Sequence, residues 1–211
     1  MKRSERHLYV SISIALILWF IMFSKLTSGI ANFWVEMSIS AVALSILALT
    51  GLRGEKMSCT GLKEILLQIV AGVTIAFALW GIFWIGNAVS SILFDFARPQ
   101  VEDVYGMKTG TSPMLIGILL LVLIGPAEEF FWRGYVQRTI ANLKNPAVAF
   151  VITLAIYSFA HIWSGNFMLV MAAMVAGAVW GLLYWWKPSL LPALIVSHAL
   201  WDALVFVILP I

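Results

Sequence analysis

Seven long apolar runs constrain the fold of this chain more than any other feature. They cover residues 7–23, 33–52, 65–93, 114–134, 147–164, 167–186 and 190–211. A helix needs about 20 apolar residues to cross the hydrocarbon core of a bilayer, where each segment must satisfy its own backbone hydrogen bonds. Because 62% of the 211 residues are hydrophobic and only 11% are charged, the runs leave no room for a soluble domain. The sequence predicts an all-α bundle of about seven transmembrane helices, with residues 1–211 as a single membrane-embedded domain.

Basic residues predict the orientation of this bundle, because Lys and Arg concentrate on the cytoplasmic side of membrane proteins. One side of the bundle carries Lys2, Arg3, Arg6, Arg53, Lys56, Lys63, Arg133, Arg138, Lys144 and Lys187, and the other carries Lys25, Arg98 and Lys108. We therefore expect a cytoplasmic amino terminus, in a multi-pass protein of a bacterial or archaeal cell membrane. The formal net charge of +3 is spread between apolar runs, so we expect contact with lipid and no nucleic-acid partner.

Some shorter features carry expectations of their own. The first run follows a basic start, as in a signal peptide, but no small-residue cleavage site precedes Asn32, which favours a retained anchor. Residues 94–113 are rich in Pro, Gly and acidic residues and predict a loop with one interfacial turn. Gly177 and Gly181 form a GxxxG pattern that favours close helix packing. Cys59 has no His or Asn near it in sequence and is expected to be inert.

Charged and imidazole side chains within the last four runs are the main pointers to function. These residues are Glu128, Glu129, Arg133, His161, His198 and Asp202. A carboxylate within hydrocarbon costs about 2.5–3.5 kcal/mol even on lenient insertion scales, and two neighbouring carboxylates also repel each other. Each histidine likewise needs a hydrogen-bond partner where water is absent. A shared polar cavity satisfies all of these groups, so we expect them to form one site.

Helical spacing gives the two glutamates different surroundings, since adjacent helical residues point about 100° apart. Glu129 and Arg133 stand at i and i+4, which predicts an ion pair and leaves Glu128 free to react. The alternative is that both glutamates merely pair with Arg133 near the membrane interface. His198 and Asp202 also stand at i and i+4, so we expect them on one helix face. An imidazole beside a carboxylate can take a proton from water, orient it or bind a metal.

The depths of these groups conflict when they are counted from the ends of the runs. At about 1.5 Å per residue from the predicted cytoplasmic ends, Glu128 lies about 9 Å, His198 about 13 Å and His161 about 21 Å into the membrane. A single site requires similar depths. The sequence leaves open whether the fifth helix begins below the membrane surface or the helices tilt differently.

Three motifs in about the last ninety residues resemble those of a known family. The segment 128–133 (EEFFWR) matches EExxxR, 157–161 (YSFAH) approximates FxxxH, and 198–202 (HALWD) approximates HxxxN. In this order they resemble the CPBP, or Abi, family of intramembrane proteases, which comprises CAAX prenyl-protein endopeptidases and bacteriocin-processing enzymes. The resemblance places the motif-bearing core at about residues 114–211. It implies an endopeptidase that cleaves a membrane-tethered or amphipathic protein or peptide, expected near the cytoplasmic side.

The resemblance also implies a role for each motif residue. Glu128 would be the general base and would activate water together with His161. His198 and Asp202 would stabilise the oxyanion, and the supporting residues would be Glu129, Arg133 and Tyr157. Tyr157 stands where the family usually has Phe, and Asp202 stands where it usually has Asn. An ionised carboxylate cannot donate a hydrogen bond, so Asp202 is either protonated or orients His198, which then donates alone.

Other functions stay open on the sequence alone. We expect no cofactor, but Glu128, His161 and His198 could instead hold Zn²⁺, with Asp202 at a fourth position, although no HExxH motif is present. The same side chains would also suit a proton-coupled transporter, although no inverted repeat is visible. A non-catalytic membrane chaperone or immunity protein is the remaining alternative. Nothing in the sequence identifies the substrate or says whether it is prenylated.

Overall fold

The computed structural model describes residues 3–27, 30–54 and 61–211, and for Arg3 only the backbone. Within these ranges every regular element is helical. The main helices are α1 (Arg3–Phe23), α2 (Phe33–Gly51), α3 (Leu62–Leu93), α4 (Ala97–Gly106), α5 (Pro113–Leu143), α6 (Pro146–Ala160), α7 (Phe167–Trp186) and α8 (Leu191–Ala203). A 3₁₀ turn at His161–Ser164 extends α6, another at Pro188–Leu190 precedes α8, and a π-helical turn at Leu204–Ile208 extends α8.

Seven helices, all except α4, are long and apolar enough to cross a membrane when α6 and α8 are counted with their adjoining 3₁₀ and π-helical turns. The predicted all-α membrane bundle is therefore confirmed. Three residues used in the sequence analysis, Lys2, Lys56 and Cys59, lie outside the described residues.

The segment between α3 and α5 differs from the prediction, because it contains the ten-residue helix α4 and not only a turn. Pro99 is tolerated there because it stands in the first turn, where the backbone N–H has no helical partner. Val101, Val104 and Tyr105 stand at helical spacing and line the central cavity. This apolar face stabilises α4 despite its polar composition.

The helix α5 runs unbroken past the end predicted for it, and this resolves the conflict in depth. Glu128 lies 15 residues before Leu143, and His161 lies 15 residues after Pro146, so both are about 22 Å from the same face of the bundle. His198 lies 10 residues after Pro188, or about 15 Å from that face. The helices thus bring Glu128 and His161 to the same level, with His198 about 7 Å nearer to that face.

Two π-helical segments, Leu120–Ile124 and Phe130–Gln137, flank the turn that carries the two glutamates. Pro126 lies between them and cannot donate a hydrogen bond to the carbonyl of Val122, four residues earlier. A widened turn accommodates such a defect without ending the helix. The glutamates therefore sit on an irregular stretch of an otherwise long and continuous helix.

Two apolar clusters hold the helices of the bundle together. One joins α5 to α1, α2 and α6 around Trp19, Phe131 and Trp132. The other joins α3, α7 and α8 around Leu79 and Trp180.

The GxxxG glycines of α7 lie against α6, as the pattern predicts. A Cβ atom at Gly177 would come within 2.9 Å of the Tyr157 ring, and one at Gly181 within 3.0 Å of the Phe150 ring. Larger residues would push α6 and α7 apart.

The two faces of the bundle are named here by what lies on them. The α4 face holds α4, the end of α1 and the beginnings of α2, α5 and α7. The Lys144 face holds the connection between α5 and α6 and the beginning of α8.

Candidate active site

The ion pair predicted between Glu129 and Arg133 is present, and it is fully buried. Arg133 Nη1 lies 2.6 Å from Glu129 Oε1. Glu129 is 0% exposed and Arg133 is 1% exposed. Arg133 Nη2 donates a second hydrogen bond to the backbone carbonyl of Gly177, at 3.0 Å. The guanidinium also lies over the rings of Tyr157 and Trp180, 4.9 and 5.5 Å from their centroids. Arg133 therefore ties α5 to α6 and α7.

Since Arg133 belongs to this buried cluster, it does not lie at the membrane interface. Arg133 therefore does not count among the basic residues that indicate orientation, and the other basic residues still favour the same side of the bundle. The alternative in which both glutamates merely pair with Arg133 near the interface does not match this geometry, because only Glu129 makes that contact.

His198 lies between two carboxylates. Its Nδ1 donates to Glu129 Oε1 at 3.0 Å, and its Nε2 lies 3.5 Å from Asp202 Oδ2, as the i, i+4 spacing predicts. The ring of Trp180 stacks on the imidazole, with centroids 3.9 Å apart and planes 19° from parallel. One proton between Nε2 and Asp202 satisfies both groups, carried either by the imidazole or by the carboxyl group.

Glu128 has different surroundings, as its position beside the paired glutamate predicts. Its residue is 4% exposed and lines the central cavity. Among the described residues, its Oε2 atom is buried without a hydrogen-bond partner. Among the same residues, Glu129 Oε2 is likewise without a partner, so the two glutamates differ in that Glu129 Oε1 contacts Arg133 and His198 and Glu128 lines the cavity.

His161 is held by hydrogen bonds at both ring nitrogens. Its Nδ1 donates to the backbone carbonyl of Tyr157 at 2.9 Å, so Nε2 carries the lone pair and accepts from Trp19 Nε1 at 3.3 Å. The Tyr157 ring packs edge-on against the imidazole, with centroids 5.1 Å apart. These contacts fix His161 as a neutral imidazole with one accepting nitrogen.

A cavity of about 380 Å³ brings the predicted groups together. Its walls are mostly apolar, and its polar end carries Glu128, Tyr157, His161, His198 and Asp202. The two histidines share it although α6 and α8 are not extensively packed on each other, because α5 packs against both helices. The predicted shared polar cavity is therefore present.

The cavity lies nearer the α4 face of the bundle than the Lys144 face. The residues that line it come from the parts of the helices nearer the α4 face, such as Phe23 at the end of α1 and Phe33 at the start of α2. Towards the Lys144 face, the next turns of α5 are closed. Phe131, Trp132, Arg133, Tyr135, Val136 and Gln137 are each at most 2% exposed.

The zinc alternative does not fit the donor set. The described residues contain no group of three or more His, Cys, Asp or Glu side chains placed to hold a metal ion. His161 Nε2 already accepts from Trp19, and both nitrogens of His198 face carboxylates within the protein. A dedicated zinc site instead presents free nitrogens or sulfurs at about 2.0–2.3 Å from a common point.

Sequence reasoning missed three partners of the site. Trp19 and Trp180 lie deep within apolar runs, where a buried indole N–H needs a hydrogen-bond partner. That requirement could have indicated that both residues contact the polar site. The third partner is the carbonyl of Gly177, which accepts from Arg133. Gln137 makes the equivalent contact with Gly181, at 2.9 Å. Because glycine has no side chain, the GxxxG pattern leaves two backbone carbonyls accessible to the buried donors, as well as space for packing.

Comparison with known proteins finds a family model that is similar to part of the chain. Residues 110–204 match the family model described as type II CAAX prenyl endopeptidase, Rce1-like. No curated protein and no solved structure matches the chain significantly. The matched range contains all three motifs, so the resemblance predicted from them is confirmed for residues 110–204. The family implies a protease that is embedded in the membrane and acts on a membrane-associated peptide.

Proposed function

Given the Rce1-like CAAX endopeptidase domain at residues 110–204, we propose that the chain is an intramembrane endopeptidase that uses a glutamate-activated water. The observation that carries the mechanism is the contrast between the two glutamates. Glu129 Oε1 contacts both Arg133 and His198, and Glu129 does not line the cavity, whereas Glu128 does. A carboxylate beside the cavity can accept a proton from a water molecule bound there.

The reaction begins when the water oxygen attacks the carbonyl carbon of the scissile bond. Glu128 takes the proton that water loses and later gives it to the nitrogen of the departing amine, as the C–N bond breaks. The products are a peptide with a new carboxyl group and a peptide with a new amino group. The lone pair of His161 Nε2 already accepts from the Trp19 N–H, so it can accept from the water only if both donors share it. Glu128 is therefore the principal base.

His198 and Asp202 stabilise the negative charge that develops on the carbonyl oxygen. Trp180 stacks on one side of His198 and Glu129 holds its Nδ1, so the imidazole cannot rotate freely. Its Nε2 edge and Asp202 remain next to the cavity. Preorganised donors of this kind stabilise an oxyanion without reorganisation during the reaction. Arg133 and Tyr157 act through Glu129 and His161 and are positioning residues.

The test is cleavage of peptides by the purified protein. The protein in detergent is incubated with a mixture of apolar and amphipathic peptides, and the products are identified by mass spectrometry. A parallel purification from membranes that lack the protein controls for contaminating proteases. We expect at least one internal peptide bond to be cleaved only by the preparation that contains the protein. Absence of any specific product across prenylated and unprenylated peptides would contradict the proposal.

A further inference from the structure

The hydroxyl group of Tyr157 has no assigned role, although Tyr157 holds His161 through its backbone carbonyl and its ring. Tyr157 lines the polar end of the cavity and interacts electrostatically with the charges of Glu128 and Asp202. Its hydroxyl oxygen makes no hydrogen bond to another described residue, and it is not one of the fully buried unpaired atoms, so it meets the cavity. A phenolic hydroxyl in this position is free to donate a hydrogen bond to a bound molecule.

The ring of Tyr157 is held on several sides, which fixes the position of its hydroxyl group. The rings of Trp132 and His161 pack edge-on against it, with centroids 5.4 and 5.1 Å away. The Arg133 guanidinium lies 4.9 Å from the ring centroid. A Cβ atom at Gly177 would come within 2.9 Å of the ring, so α7 lies directly against a further side. A donor fixed in this way needs no reorganisation during a reaction.

The groups already assigned to the site are rich in hydrogen-bond acceptors and poor in free donors. Glu128 is an acceptor when it acts as the base, and His161 presents only a lone pair at Nε2. His198 donates its Nδ1 proton to Glu129. The one proton between His198 Nε2 and Asp202 gives this pair at most one hydrogen bond for an oxyanion. Oxyanion sites usually combine more than one preorganised donor.

The other side-chain donors on the cavity wall do not reach the polar end. Three of them donate to backbone carbonyls nearer the α4 face: Trp34, Ser90 and Tyr105. The indole nitrogen of Trp201 is unpaired within the described part of the chain, but it is buried away from the cavity. Asn87 lies 25 residues after the start of α3, about 38 Å from the Lys144 face, whereas Glu128 lies about 22 Å from it. Tyr157 therefore carries the uncommitted donor at the polar end.

From this inventory of donors, and resting on the proposed protease function, we infer that Tyr157 is a further catalytic residue. Its hydroxyl group donates a hydrogen bond to the carbonyl oxygen of the scissile bond as negative charge develops there. The hydroxyl keeps its proton throughout, so Glu128 remains the group that takes the proton from water and returns it to the departing amine. The pair of His198 and Asp202 supplies the other hydrogen bond. The scissile carbonyl then lies between α6 and α8 and faces α5.

The test is Tyr157→Phe, because Phe keeps the ring and the backbone carbonyl and removes only the hydroxyl group. The rate of cleavage is measured in detergent with a peptide that the parent protein cleaves. We expect kcat to fall by about 10²–10³-fold, as after removal of one oxyanion donor, and KM to change by less than about threefold. The matched control is Tyr9→Phe, at a side chain of α1 that is 60% exposed, and it should cleave at the parent rate.

Unfolding by SDS in mixed micelles separates catalysis from packing. We expect Tyr157→Phe to unfold at the same SDS fraction as the parent protein, because its hydroxyl group has no partner to lose among the described residues. A parent-like kcat would overturn the inference. A loss of activity that follows a rise in KM, or a loss of stability, would also overturn it by assigning Tyr157 to packing alone. Absence of cleavage by the parent protein would instead contradict the protease function, on which the inference rests.

Discussion

The buried pair of Glu129 and Arg133 should dominate the stability of the bundle around the site. Removing one partner of a buried ion pair costs about 3–5 kcal/mol, because the other charge is left uncompensated. Glu129→Gln should lower the free energy of unfolding by about 3 kcal/mol, since the amide oxygen can still accept a hydrogen bond from Arg133. Arg133→Met should lower it by about 5 kcal/mol, since this variant also loses the hydrogen bond to Gly177 and the contacts with two aromatic rings.

The double variant Glu129→Gln/Arg133→Met isolates the interaction itself. It leaves neither partner as an unpaired charge, so its loss of unfolding free energy should be smaller than the sum of the single losses by about 2–3 kcal/mol. The measurement is unfolding by SDS in mixed micelles, followed by tryptophan fluorescence. Glu102→Gln on the exposed surface of α4 is the matched control and should change stability by less than about 0.5 kcal/mol. Additivity of the two single losses within about 0.5 kcal/mol would refute the reasoning.

Three further perturbations test the roles of individual groups. Asp202→Asn should keep its activity at neutral pH, because Asn can donate to the oxyanion as a protonated Asp202 would. A loss of at least about tenfold at every pH, with folding and substrate binding unchanged, would favour the anionic role. Treatment with EDTA should leave the cleavage rate unchanged, since the donor set does not form a zinc site; stoichiometric zinc with loss on chelation and recovery on readdition would contradict this. Trp19→Phe should lower the free energy of unfolding by about 1 kcal/mol, because the variant keeps an aromatic ring but loses the hydrogen bond to His161. An unchanged free energy of unfolding would mean that this hydrogen bond does not stabilise the bundle.

The fold was accessible from sequence because membrane helices are selected by length and apolarity. The ends of several runs agree with the structure to within a few residues, including Phe33, Phe167 and Trp186. The prediction failed for the end of α5, because polar residues after Gly134 suggested an interface. Of those residues, Gln137 is buried between helices and donates to the carbonyl of Gly181.

The candidate site was accessible to the extent that its contacts lie within one helix. The i, i+4 rule predicted Glu129 with Arg133 and His198 with Asp202, and both contacts are present. Contacts between helices could not be predicted from spacing. The bond from His198 to Glu129 and the bond from Trp19 to His161 depend on which helices pack together, and a single sequence holds no record of that arrangement.

The assignment of Glu128 as the base is tested most directly by Glu128→Gln. The amide preserves the shape of the side chain, and Glu128 Oε2 has no partner to lose among the described residues, so the variant should fold with nearly the parent stability. Cleavage of the peptide identified by mass spectrometry should fall by about 10²–10⁴-fold, the usual contribution of a general base. The control is Glu102→Gln, which should cleave at the parent rate. Parent-like cleavage by a folded Glu128→Gln protein would remove Glu128 from the mechanism.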